Sequence, residues 1–305
     1  MASSLVTIAA APPAERLPEW IRTRPPRGEL YPGVRDLLGR LGLGTVCREA
    51  RCPNLSECWS AGTATLMLLG TECTRRCGFC AVTTHWPNGV VDRTEPSRVA
   101  EAVREWGLRY VVLTQVCRDD LSDGGAAALA ETVRTLREEA PETLVELLIG
   151  DLGGSDAALE TILVDPPDVL AHNLETVRSL SPSVRDRRAG YDRSLRVLAR
   201  ARELGRRALV TKSSIMLGLG ETDRELEAAF GDLRQSGVDL VTLGQYLRPS
   251  RAHVPVARYV RPEEFERWKA VALARGFAGV EAGPLVRSSY HAEALYRRAR
   301  LAHGG

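Results

Sequence analysis

Six short apolar runs alternate with six amphipathic stretches over most of the chain, and that order leaves few folds open. The runs are Thr65–Leu69, Tyr110–Thr114, Leu144–Ile149, Val169–Ala171, Ala208–Leu217 and Leu240–Leu243. The helical stretches between and after them are Pro96–Trp106, Ala126–Ala140, Ser155–Leu163, Tyr191–Leu204, Glu221–Gln235 and Pro262–Arg275. Strict alternation implies parallel strands with helices packed outside, in a doubly wound sheet or a barrel. A complete eight-unit barrel takes about 250 residues. Only six units fit here, so the expected fold is α/β, an open, partial (βα)6 TIM-type barrel over residues 63–282. An N-terminal extension (17–62) and a C-terminal extension (283–305) flank it, and Met1 to Arg16, rich in Ala, Ser and Pro, reads as a disordered leader. Val34–Leu43 reads as a short amphipathic helix within the first extension.

Charge and apolar run length remove two function classes. The 305 residues carry 41 basic and 39 acidic side chains, a net +2. That is too even for a nucleic-acid binder working by phosphate neutralisation. No apolar run approaches the roughly 20 residues that span a bilayer, and the leader lacks the charged start and apolar core of a secretory signal. Neither nucleic acid nor membrane is an expected partner, and a cytoplasmic location fits. The basic residues are almost all arginine; Lys212 and Lys269 are the only lysines. Lys212 falls in a strand, where burial is costly unless it meets an anion, either a bound carboxylate or a structural Glu.

Chemistry concentrates in the cysteines. Six of seven lie between positions 47 and 80, in two triplets. Cys47, Cys52 and Cys58 have Cys-x4-Cys-x5-Cys spacing; Cys73, Cys77 and Cys80 have Cys-x3-Cys-x2-Cys; Cys117 stands alone. A disulfide framework fits poorly with a long chain whose cysteines cluster at one end. Structural zinc favours paired Cys-x2-Cys knuckles, and only Cys77/Cys80 has that spacing, although His85 could complete a Cys3His set. Iron–sulfur clusters tolerate irregular spacing, and three thiolates on a four-iron cluster leave one iron open. The second triplet directly follows the first strand, at the mouth where α/β barrels carry their sites.

Cys-x3-Cys-x2-Cys in that position, with Phe79 before the last cysteine, resembles the radical S-adenosylmethionine (SAM) enzymes. With the first triplet added, the resemblance narrows to the lipoyl synthase family. It is carried by Pro18-Glu-Trp-Ile, Thr45-Val-Cys-Arg-Glu-Ala-Arg-Cys-Pro-Asn-Leu-Ser-Glu-Cys-Trp59, Cys73-Thr-Arg-Arg-Cys-Gly-Phe-Cys-Ala-Val82 and His172-Asn-Leu-Glu-Thr-Val177. Thr211-Lys-Ser, Gly218-Leu-Gly-Glu-Thr222, Gly244-Gln-Tyr-Leu247 and Arg287-Ser-Ser-Tyr-His-Ala292 complete it, so the match runs from residue 17 to 295.

The resemblance implies an enzyme with two 4Fe–4S clusters and SAM. It inserts sulfur at C6 and C8 of an octanoyl chain on a lysine of a lipoyl carrier domain or H protein. Cys73, Cys77 and Cys80 would hold the SAM-binding cluster, whose reductive cleavage of SAM yields a radical able to open an unactivated C–H bond. Cys47, Cys52 and Cys58 would hold an auxiliary cluster that gives up its sulfur. Its fourth ligand would be Ser289, with Ser288 the alternative; in an extended segment Arg287 and Ser289 would face it together. A serine oxygen is a poorer iron ligand than thiolate, which suits a bond that must be released. Asn173, Glu175 and Lys212 are the expected SAM contacts beside Phe79. Gly218-Leu-Gly220 either lets backbone approach the adenine or is a plain turn. An electron donor of ferredoxin or flavodoxin type and an iron–sulfur carrier for cluster repair are implied, and arginines near Arg22–Arg27 could meet an acidic carrier domain. Trp59 is expected to pack, and His172 and His291 to be structural.

The pattern is not followed everywhere. In Leu113-Thr-Gln-Val-Cys-Arg-Asp-Asp-Leu121, the family usually has a small residue at Gln115 and an aspartate at Cys117. Gly150 replaces a usual proline, and Leu152 a usual aromatic. Gln115 could replace the missing acceptor for the SAM ammonium. These departures fit either compensated drift or a divergent relative that sulfurates another acyl chain or a specialised metabolite. A non-enzymatic zinc or iron–sulfur module is the third reading.

Overall fold

A computed structural model describes residues 17–21, 30–49, 52, 54–55, 58, 65–205, 209–302 and 304. The leader, the Arg22–Arg27 arginines and Trp59 lie outside the described residues.

All six expected units are present. Their strands are β2 (Thr65–Leu68), β5 (Tyr110–Gln115), β6 (Leu144–Leu148), β7 (Val169–Ala171), β8 (Val210–Leu217) and β9 (Leu240–Gln245). Each neighbour pair is parallel and in chain order. A seventh parallel strand, β10 (Gly279–Gly283), follows β9, and a two-residue strand, β1 (Gly44–Thr45), pairs antiparallel with β2 at the opposite edge. The sheet therefore has eight strands in the order β1-β2-β5-β6-β7-β8-β9-β10, open between its two edges. A small parallel pair, β3 (Glu72–Cys73) and β4 (Thr83–Thr84), brackets the second cysteine triplet. Gly279–Gly283 went unread because two of its five residues are glycine and Glu281 interrupts its apolar run.

The helices are α1 (Leu30–Arg40), α2 (Val46–Glu49), α3 (Glu95–Trp106), α4 (Ala126–Glu139), α5 (Asp156–Leu163), α6 (Ser181–Val184), α7 (Tyr191–Gly205), α8 (Asp223–Gln235), α9 (Pro262–Ala274) and α10 (Ala292–Ala302), the last packing Leu295 and Ala299 on Val169, Val210 and Leu240. Their starts are written locally. Ser155 accepts from Ala158 N at 3.2 Å, and Thr222 and Glu225 form a reciprocal capping box, each satisfying amides that the first turn leaves unpaired.

Two main cores result, one against each half of the sheet. One packs Val34, Leu37 and Leu38 of α1 with β2, β5, β6 and their helices. The other packs Phe230, Phe265, Trp268 and Phe277 beneath β8 to β10. Strands so covered are buried on both faces, which is why they read as continuous apolar runs. Among the described residues no helix is long and apolar enough to cross a membrane.

Candidate active site

The C-terminal ends of the parallel strands open onto one cavity of about 520 Å³. Both cysteine triplets line it, together with Phe79, Gln115, Cys117, Gly150, Asn173, Glu175 and the Arg287–Tyr290 segment. Chain segments far apart in sequence thus share a single space. No disulfide joins any of the seven cysteines, all of which are described.

The second triplet sits on a loop held from several sides. Gly78 N donates to Val184 O at 2.8 Å and Val254 N to Gly78 O at 2.9 Å, while His253 Nε2 lies 3.0 Å from Cys80 O. Arg75, between the first two cysteines, is the main clamp. Its guanidinium bonds Asp119 Oδ1 and Asp151 Oδ1, both at 2.7 Å. Burial disfavours its charge, but the bonds to Asp119 and Asp151 raise its pKa overall. Asp186 accepts from Arg76 N at 2.8 Å, and its own N–H donates to Cys77 Sγ at 3.3 Å. Burial pushes the Cys77 thiol up to about 11 and the Cys80 thiol up to about 12. Cys73 is brought down to about 6, chiefly by a hydrogen bond from Cys117.

The donor set of the cavity is sulfur-rich: both cysteine triplets face one space, the ligand chemistry of iron–sulfur clusters. Thiols spread around a shared cavity suit a multi-iron body, whose ligands sit on different irons. His85, the proposed fourth zinc ligand, has its side chain more than half exposed, 4.0 Å from Glu72, and does not line the cavity.

The first triplet reaches the same space beside a segment far along the chain. Asn54 Nδ2 donates to Leu285 O at 2.5 Å, tying the Cys52 loop to the segment that leads into Arg287. That segment crosses β9 at Gly244, where an added Cβ would stand 2.1 Å from Val286 O. Only glycine allows so close an approach. Arg287 is packed among the cysteines, and burial lowers its pKa while the neighbouring Cys52 works the other way. Residues 288–291 form a turn, with Tyr290 N donating to Arg287 O at 2.9 Å. The extended segment expected here, with alternate residues on one face, is therefore corrected. Ser288 and Ser289 both line the cavity.

Asn173 and Glu175 follow β7 as expected. Glu175 has φ 70°, and burial raises its carboxyl pKa. Asn173 Oδ1 and Gln115 Oε1 are buried acceptors with no partner among the described residues, an arrangement that calls for a donor from a bound molecule. Lys212 is a correction. Its Nζ bonds both oxygens of Glu146, at 2.8 and 3.0 Å, and both side chains are 1% exposed. Lys212 does not line the cavity; the anion it meets is the structural glutamate. Gly218 and Leu219 donate their amides to Glu221 at 2.7 and 2.9 Å, a plain turn outside the cavity lining. His172 is buried, with Nδ1 2.9 Å from Ile149 O and Nε2 2.8 Å from Ser194 Oγ.

Sequence reasoning missed Arg75, Asp119, Asp151, Asp186, His253 and Asn54. A signal existed for some of them: an arginine inside the cysteine loop, and aspartates just after two strand ends, are charges where a mouth needs rigid positioning.

Comparison with known proteins agrees with this geometry. Residues 67–233 match the radical SAM superfamily, and residues 8–52 match the N-terminal domain of lipoyl synthase. Lipoyl synthase of Thermus thermophilus is 55% identical over 282 residues, covering 92% of this chain and 87% of that protein. Lipoyl synthase of Pyrobaculum arsenaticum is 55% identical over 285 residues, covering 93% and 96%. Methylornithine synthase shares the fold, with a TM-score of 0.52 at 13% identity over 90% of this chain and 95% of that one. A cavity walled by cysteines on a partial barrel, and identity above half with whole enzymes of one kind, lead to one assignment: the chain is an enzyme of the lipoyl synthase family, within the radical SAM superfamily.

Proposed function

We propose that the protein inserts two sulfur atoms into C6 and C8 of a protein-bound octanoyl-lysine, giving lipoyl-lysine. The observation that carries this reading is the meeting of both cysteine triplets and the Arg287–Tyr290 segment around one cavity. An aliphatic C–H bond has no acidic proton, so no side-chain base can open it. When bound, a reduced 4Fe–4S cluster and SAM supply a carbon-centred radical that can take the hydrogen atom.

The chain's own residues hold and shape that chemistry. Cys73, Cys77 and Cys80 are the thiolates for the SAM cluster, on a loop fixed by Arg75. Gln115 Oε1 and Asn173 Oδ1, unpartnered in the cavity wall, accept from the SAM ammonium, with Glu175 beside them and Phe79 packing. Cys47, Cys52, Cys58 and Ser289 would hold an auxiliary 4Fe–4S cluster, which would supply the sulfur. Arg287 offsets the thiolate charge there. The octanoyl chain arrives on a lipoyl carrier domain or H protein. A ferredoxin- or flavodoxin-type donor supplies electrons, and an iron–sulfur carrier rebuilds the spent cluster.

An anaerobic assay with reductant, SAM and an octanoyl-lysyl peptide tests the reading. Mass spectrometry should show two sulfur additions with about eight irons per chain beforehand, the sum for two four-iron clusters. Deoxyadenosine formed without any sulfur on the peptide would point instead to a divergent relative with another acceptor. Colourless protein with one zinc would refute both.

A further inference from the structure

Three loops are joined around the second cysteine triplet. Gly78 N donates to Val184 O at 2.8 Å, and Gly78 O accepts from Val254 N at 2.9 Å. Asp186 accepts from Arg76 N at 2.8 Å, Arg188 Nη2 donates to Thr74 O at 2.6 Å, and His253 Nε2 lies 3.0 Å from Cys80 O. Residues 74–80, 184–190 and 246–258 therefore form one continuous rim. Its charge is one-sided. In a chain with 41 basic and 39 acidic side chains, these three stretches hold eight arginines against one acidic residue, Asp186. Asp186 is itself bonded by Arg188 Nε at 3.0 Å, with its side chain 9% exposed. Arg76, Arg187, Arg248 and Arg251 are exposed. Among the described residues, Arg76, Arg187 and Arg248 have no carboxylate within 4.0 Å. Arg76 stands in the cysteine loop itself, and it, Arg187 and Arg251 lie outside the cavity lining.

We infer that this basic rim is the docking surface for a small acidic one-electron carrier protein, which reduces the centre held by Cys73, Cys77 and Cys80. A partner that inserts an acyl chain must cover the cavity opening. A partner that delivers an electron needs only a short path to the cysteines, because transfer slows steeply with distance. Exposed charge on the cysteine loop, turned away from the cavity, meets the second demand. Redox encounters bury little surface, under about 1,200 Å² in total, so a rim of this kind suffices. Unpaired arginines then raise the encounter rate with an acidic partner. One electron leaves the donor's reduced centre and enters the centre on the thiolates; no bond forms or breaks in the transfer. This inference rests on the three cysteines holding a reducible 4Fe–4S cluster.

The test uses the full-length holoprotein under anaerobic conditions, with an acidic flavodoxin as the probe. Stopped-flow absorbance records cluster reduction by reduced flavodoxin, and flavin fluorescence with the oxidised form gives the Kd. Arg76→Glu combined with Arg187→Glu should lower the second-order reduction rate about tenfold or more at low ionic strength and raise the Kd. Added salt should slow the parent toward that variant. Arg76→Lys with Arg187→Lys keeps the charge and should keep the parental rate. Dithionite at high salt needs no docking and should reduce the parent and both variants alike, at equal iron content. An unchanged flavodoxin rate in the glutamate variant overturns this inference alone. Equal slowing with dithionite also overturns it, because the damage would then lie in the cysteine loop. A higher KM for an octanoylated carrier domain, at an unchanged flavodoxin rate, overturns it and assigns the rim to the acyl carrier. A parent protein with no reducible cluster overturns the functional reading and this inference with it.

Discussion

Lys212 shows how a residue type can be read correctly and its partner wrongly. In an arginine-rich chain a lone strand lysine marks a place for a compact ammonium, and the structure has one, but its anion is Glu146, which also accepts from Tyr110 Oη at 2.7 Å. Breaking a buried pair leaves the survivor charged and unsolvated, which costs about 3–5 kcal/mol. Lys212→Met should therefore lower stability by that order in urea unfolding and leave SAM affinity unchanged. Lost SAM affinity at parental stability would return Lys212 to the cofactor. His172 gives a pH-dependent counterpart. Burial, then the Arg185 charge, bring its pKa from 6.5 down to about 4, so between those values the unfolded chain binds a proton that the folded one refuses. Stability is then full above pH 6.5 and falls as pH drops through about 4. Urea midpoints should record a loss of about 2 kcal/mol at pH 5 relative to pH 7, and His172→Gln should flatten that slope. An unchanged slope would mean that other groups govern the acid limb.

At the scale of elements, the barrel was legible because both faces of a parallel strand are buried, so each strand is a short apolar run and each helix a periodic one. Boundaries came within about two residues for most helices; Ala126–Glu139 and Pro262–Ala274 differ from expectation by one residue each. What was illegible depends on distant pairing. The two-residue strands Gly44–Thr45 and Glu72–Cys73 carry no period of their own and exist through their register with Leu66–Met67 and Thr83–Thr84. The same holds in the site. Cysteine spacing pointed to the candidate ligands, but the clamp on their loop is an arginine reaching aspartates 44 and 76 residues away. Arg75 joins three strand–helix loops, and its fork meets two carboxylates at once, a geometry lysine does not reproduce. Arg75→Gln should reduce iron bound by the second triplet and lower the unfolding midpoint, since Asp151 keeps no exposure to water on its side chain. Arg75→Lys should recover charge but not loop order, and so only part of the iron. Full iron occupancy in Arg75→Gln would show that the loop is fixed without the clamp.

Across the whole molecule, the segments around Asn54 and Leu285, from either side of the barrel in sequence, meet at its mouth. Asn54 holds Leu285 O, and Val286 passes over Gly244 too closely for any side chain there. The first triplet and the Arg287–Tyr290 turn thus line the mouth from segments outside the barrel's six strand–helix units. If the two triplets form separate half-sites, their losses should also be separate. Cys73→Ala, Cys77→Ala or Cys80→Ala should abolish deoxyadenosine formation, because no open iron then holds SAM. Cys47→Ala, Cys52→Ala or Cys58→Ala should abolish sulfur insertion while SAM cleavage continues. Gly244→Ala belongs with the second group, although it carries no ligand. Its methyl must displace Val286 and the turn beyond it, so sulfur insertion should fall at least tenfold while the SAM-responsive EPR signal persists. Ser289→Ala should do the same more strongly than Ser288→Ala, which separates the two serines that the turn brings to the cavity together. The decisive measurement is the ratio of deoxyadenosine to sulfur added to the octanoyl peptide in each variant. A ratio that rises for the first-triplet, Gly244 and Ser289 variants supports two half-sites. Equal loss of both products across all variants, with the remaining cluster intact by spectroscopy, would mean that the mouth works as one indivisible unit.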